Sequence, residues 1–135
     1  MRIAIVNVSA QRELVSPCVA ALRKGFESMG HRADIISAWT DDGFRLPAYD
    51  YIVVSAETLS FFSRKFPDCL HKILSTSGGV AGKKSAAFLG KKCLFVNKAL
   101  AALMSAMEKE GMFVNWSDTL LSAEQAEALA KRIGA

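Results

Sequence analysis

Glycine is missing where an α/β protein most often uses it. The stretch "NVSAQRELVSPC", Asn7 to Cys18, joins a strand-like run to a helix start, yet the first of the chain's nine glycines is Gly25. A tight anion cradle built from backbone N–H groups draws on glycine for its positive-φ turns, so this junction does not read as an ordinary phosphate loop. Cysteine is scarce too. Cys18, Cys69 and Cys93 are an odd number without short metal-site spacing. That argues against a disulfide framework and against a metal site, and it points to a reducing, cytoplasmic setting. No apolar run is long enough to span a membrane, so no membrane partner is expected. The start, "MRIAIVNVSAQ", reads as a first strand rather than a secretory signal. There is no acidic excess: the formal charge is +4. Lys83-Lys84 and Lys91-Lys92 bracket a strand without making a basic stripe, so no nucleic-acid partner is expected.

What is present is a globular balance, 51% hydrophobic and 22% charged, in 135 residues, enough for one domain over residues 1–135 with a real core. "IAIVNV" is a near-continuous apolar run, as expected of a strand covered on both faces. Ser16 and Pro17 then open a helix, as cap and first helical residue, with Val19, Leu22, Phe26 and Met29 as its apolar stripe and Gly30 as its end. "ADIISAW" predicts a second strand, "TDDGFRLPAYD" a loop, and "YIVVSA" a third strand. Pro67 belongs to the first turn of the next helix, whose inward face is Leu70, Ile73 and Leu74. "SAAFLG" is a fourth strand. Val96, Leu100, Leu103 and Met107 mark a long helix closed by Gly111. "MFVNW" is a fifth strand. Ser122 and Gln125 make a capping box for a last helix with Ala126, Leu129 and Ile133 inward. Strands are expected to begin near Ile3, Ala33, Tyr51, Ser85 and Met112.

Five strands alternating with helices predict a doubly wound parallel sheet with helices on both faces. In such sheets a ligand sits beyond the carboxyl ends of the strands. The loops after Val8, Ala56 and Gly90 converge there. A receiver domain would need acidic residues after the first strand and an aspartate after the third; this chain has Ser9-Ala10 and Glu57. A low-molecular-weight phosphatase would need a cysteine nucleophile early in the first loop and an arginine just before "SP"; Ser9 and Val15 stand there instead.

The chain resembles the flavodoxin-like family over nearly its whole length. "LPAYDYIVVSAETLSFF" resembles the family's passage from the turn before the third strand into its flavin-contacting loop. "GKKSAAFLG" with "KALAALMSAMEKEG" resembles the fourth strand and its helix, and "LLSAEQAEALAKRIG" the last helix. The resemblance implies strand order 2-1-3-4-5 and FMN as cofactor in an electron-transfer role. It places Ser9, Gln11, Arg12 and Ser16 on the FMN phosphate, and Thr58, Phe61 and Gly90 along the flavin ring, with Phe62 and Phe95 nearby. The family's Ser/Thr- and glycine-rich phosphate loop is the part that departs. Only Ser9 keeps a hydroxyl among positions 9 to 14, and Glu13 brings a like charge. Weakened or absent FMN binding is therefore expected. Two functions remain open: a redox protein holding FMN in altered fashion, or a non-enzymatic module that has lost FMN and binds a protein or a small anion at the same rim. The basic balance argues against the acidic docking surface of many electron-shuttling flavodoxins. Cys18 sits at a helix start, where the dipole would lower its pKa, but its helical phase suits burial. His31 and His71 have no partner visible in the sequence.

Overall fold

The computed structural model describes residues 1–11 and 14–135. Five parallel strands form one sheet in the order β2-β1-β3-β4-β5. They are β1 (Arg2–Val8), β2 (Arg32–Ser37), β3 (Tyr51–Ala56), β4 (Lys84–Leu89) and β5 (Phe113–Thr119). Every start lies within one residue of the expected position. The central strand β3 is buried at all six positions, which is why its run is apolar except for Ser55. The edge strand β5 instead alternates exposed with half-buried residues until its last residue, Thr119, is buried.

The four helices are α1 (Pro17–Ser28), α2 (Asp68–Ser77), α3 (Val96–Lys109) and α4 (Ala123–Ile133). Alternation along each strand sends Ile3, Ile5, Val53 and Phe88 to one face, under Leu22 and Phe26 of α1 and Leu129 of α4. Ala4, Val6, Val54 and Leu89 go to the other face, under Leu70 and Leu74 of α2 and Leu103 and Met107 of α3. Burying each of the large side chains contributes about 2–3 kcal/mol.

No helix connects β2 to β3. The loop-like "TDDGFRLPAYD" carries only a short 3-10 turn (Leu46–Ala48), and its Leu46 and Tyr49 sink into the core in place of a helix. The Tyr49 hydroxyl donates to Asp34 Oδ2 at 2.8 Å.

Three local expectations need correcting. Met29 lies just past α1, where its N–H closes the helix on the Phe26 carbonyl, and its side chain is exposed rather than inward. Pro67 precedes α2 with extended backbone, so Asp68 is the first helical residue. Ser122 Oγ does accept from the Gln125 N–H, at 3.1 Å, but Gln125 Oε1 takes the N–H of Leu121 rather than that of Ser122.

Candidate functional site

The topology fixes where a ligand would sit. From the neighbouring strands β1 and β3 the chain leaves toward opposite faces, into α1 and α2 respectively. That divergence opens a crevice at their carboxyl ends. Glu57, the first residue after β3, stands at this crevice. Its backbone N–H donates to the Val8 carbonyl at 2.8 Å, extending the β1–β3 pairing by one bond. Its side chain reaches across to the loop after β1, where Oε1 accepts the Ala10 N–H at 2.8 Å. Gly90, at the end of β4, makes room for this arrangement. A Cβ there would lie 3.0 Å from Ser55 Oγ and 3.2 Å from Glu57 Cγ.

The loop from β1 to α1 is tied to the protein at several points. The Ser9 hydroxyl donates to the Gln11 carbonyl. The Trp39 indole N–H, from the β2–β3 loop, donates to the Ser9 carbonyl at 2.9 Å. The Asn7 side-chain amide donates to the Leu14 carbonyl at 2.9 Å. Ser16 caps α1, its Oγ accepting the Val19 N–H at 3.3 Å. Of the four residues expected around a phosphate, Ser9 and Gln11 are thus bonded to each other, and Ser16 serves the helix. Arg12, like Glu13, lies outside the described residues.

The Cys18 thiol is half-buried on the first turn of α1. Its pKa is pushed up, first by burial and then by the negative charge of Glu57. Both effects oppose the lowering expected from the helix dipole, and Cys18 packs against the core cluster under α1.

The ring side is built differently. The Thr58 hydroxyl closes its own turn on the Ser60 carbonyl at 2.9 Å. The Phe61 carbonyl accepts the Leu94 N–H at 2.8 Å, joining the loops after β3 and β4. Phe61 is 50% exposed and Phe62 73%, and their rings meet edge to face at 5.3 Å. Leu59, Leu94 and Phe95 are exposed beside them. Arg64 lies over the Phe95 ring at 5.6 Å and Lys98 at 5.9 Å. Lys91 and Lys92 are exposed. Phe61 and Gly90 therefore lie on neighbouring loops of the same rim, whereas the Thr58 hydroxyl serves its own turn.

Glu57 and Trp39 are the residues that sequence reasoning missed. Glu57 carried a signal, since it is an ionisable residue placed directly after a fully buried strand, at the end where ligands collect. Trp39 carried none, because its contact comes from a loop without regular structure. His31 does have partners: Nε2 donates to the Gly134 carbonyl at 2.6 Å, and Nδ1 faces the amino group of Met1 at 3.0 Å. His71 is exposed on α2. A cavity of about 550 Å³ lies between α2 and α3, lined by His71, Lys72, Lys109 and Glu110, away from the crevice. Among the described residues, no three histidines, cysteines or carboxylates are grouped to hold a metal ion. No described helix is long and apolar enough to cross a membrane.

No family model and no curated protein matches the chain. Solved structures do. The chain is similar to a flavodoxin from the domain Archaea, with 18% identity, 99% of this chain and 96% of that one covered, and a TM-score of 0.72. It is similar to the flavodoxin of Streptococcus pneumonia TIGR4, with 13% identity, 97% and 96% covered, and a TM-score of 0.75. It is also similar to a C101A mutant of flavodoxin from Pseudomonas aeruginosa, with 14% identity, 99% and 97% covered, and a TM-score of 0.74. The chain has the flavodoxin-like fold.

The residues present do not fit the phosphate of FMN. Phosphate needs donors converging on it, and three polar groups of this loop are already engaged within the chain. The Ala10 N–H already holds a carboxylate, the Ser9 proton is spent on Gln11, and the Ser16 oxygen faces a helix N–H.

Proposed function

We propose that the chain is a flavodoxin-like binding module that has given up tight FMN binding and docks a protein at the rim of its crevice. The observation that carries this reading is the bond from the Ala10 N–H to Glu57, which puts a carboxylate of the chain itself where a phosphate would need donors. A charge-assisted hydrogen bond contributes about 1.5–3 kcal/mol, so losing two weakens binding by roughly a hundredfold or more. The rim supports protein docking. Leu59, Phe61, Phe62, Leu94 and Phe95 are exposed together, and Arg64, Lys65, Lys91, Lys92 and Lys98 lie on the same loops or at the start of α3. Among the described residues, none of these five cations is within 4.0 Å of a carboxylate. Apolar anchors among these cations suit a partner with an acidic margin.

The second reading is electron transfer through weakly held FMN. It is favoured by Phe61, half exposed on the loop after β3 beside the crevice. The visible spectrum of freshly purified protein and a fluorescence titration with FMN separate the two. The expected result is colourless protein with FMN affinity weaker than about micromolar. Yellow protein with stoichiometric, nanomolar FMN would put the redox reading first.

A further inference from the structure

We propose that Glu57 is the residue that excludes phosphate monoesters from this crevice, and that removing its charge turns the crevice into a phosphate site. The inference deepens the reading above and rests on it. Three features converge on this side chain. Its Oε1 holds the Ala10 N–H at 2.8 Å, a backbone donor of the loop where the fold would seat a phosphate. Its Cγ lies 3.2 Å from the Cβ position that Gly90 leaves vacant, so the end of β4 is shaped around it. The Cys18 thiol, on the first turn of α1, has its pKa pushed up first by burial and then by this carboxylate.

A helix N-terminus and a backbone N–H together attract an anion. Here the Ala10 N–H already holds an anion from inside the chain. A phosphate dianion entering the crevice would meet a like charge and would have to displace it from its donor. A neutral ligand carrying only hydroxyl groups meets no such repulsion, and its hydroxyls can donate to the carboxylate. Glu57 therefore opposes a phosphate group in addition to the contacts that Ser9 and Ser16 no longer offer it. That distinction is testable, because a missing contact is not restored by deleting a carboxylate.

The experiment compares wild type with E57Q and E57A, using inorganic phosphate, FMN and riboflavin as probes. E57Q keeps the shape and an acceptor for the Ala10 N–H while removing the charge; E57A also frees the donor. In thermal unfolding against chloride at matched ionic strength, phosphate should leave the wild type unchanged. It should raise the Tm of E57Q by roughly 3 °C at concentrations well above Kd, and that of E57A by more. FMN affinity should rise at least tenfold in E57Q while riboflavin affinity changes less than about twofold. The pH profile of Cys18 alkylation should move to lower pH in E57Q, which reports loss of the charge in a folded protein. E57A risks misfolding, so E57Q decides. If E57Q gains neither phosphate stabilisation nor FMN affinity while its Cys18 profile shifts, the exclusion role is wrong, although the wild type still lacks tight FMN. Nanomolar FMN binding by the wild type would instead sink the reading beneath it.

Discussion

Two side chains show how burial sets chemistry one residue at a time. Tyr51 opens β3 almost fully buried, its hydroxyl donating to Asn115 Oδ1 at 2.7 Å. Burial pushes its pKa from the ordinary 10.0 up to about 12. Below pH 10 both folded and unfolded chains keep the proton, and the stabilisation is present in full. As pH rises from 10 toward 12 the unfolded chain releases its proton and the folded one does not, so stability falls. Two pH units correspond to about 2.7 kcal/mol. Tyr49, also pushed up by burial and by its bond to Asp34, adds to the same slope. Unfolding titrations in denaturant between pH 9 and 12 should therefore show a steep alkaline loss that Y51F reduces. An unchanged slope in Y51F would mean that Tyr51 reaches solvent. Cys18 gives a second check. Burial and Glu57 both hold its thiol protonated, so a thiol probe at neutral pH should label it far more slowly in the native state than in urea. Equal rates would revive a reactive role.

Element packing explains where glycine went. Gly25 is mid-helix, where glycine costs about 1 kcal/mol relative to alanine. A Cβ there would lie 2.6 Å from Ala130 Cβ and 2.6 Å from the Glu127 carbonyl oxygen, so the glycine lets α1 and α4 cross closely. G25A should lose stability, by about 1–3 kcal/mol despite its better helix propensity, because rigid backbone must move. A denaturant midpoint equal to wild type would show that the helices separate freely. On β4, Ser85 Oγ is fully buried without a hydrogen-bond partner. S85A should be neutral or stabilising by up to about 1 kcal/mol, since it removes an unsatisfied hydroxyl. A loss above that would reveal a bound water. The strands and helices themselves were legible because their apolar periods differ, continuous in β3 and stepped by three or four in α1. The register shift between Ser85 and Ala86 was not, because it leaves Asn115 unpaired across β4, a decision made by neighbouring strands rather than by local sequence. The bond from Tyr51 to Asn115 occurs at this irregularity.

For the whole molecule, the rim was legible as a set of loops but not as a chemistry. The order 2-1-3-4-5 followed from alternation and the family resemblance, and it placed Ser9, Phe61 and Gly90 at one end of the sheet. What the loops do there depends on which donors are already taken, and that is settled by contacts such as Glu57 with Ala10, made 47 positions apart. The exposed aromatics test the docking proposal directly. Phe61 and Phe62 touch each other and stand largely in solvent, so they add little to the core. Their edge-to-face contact contributes about 0.5–1.5 kcal/mol beyond the small area they bury, so removing both costs little. The double variant F61S/F62S should keep its Tm within a few degrees of wild type while binding markedly less of an apolar dye such as anilinonaphthalene sulfonate. That pairing of outcomes is expected of a surface kept apolar for a partner. A collapse in Tm would instead make these rings structural, and unchanged dye binding would move the apolar surface elsewhere on the molecule.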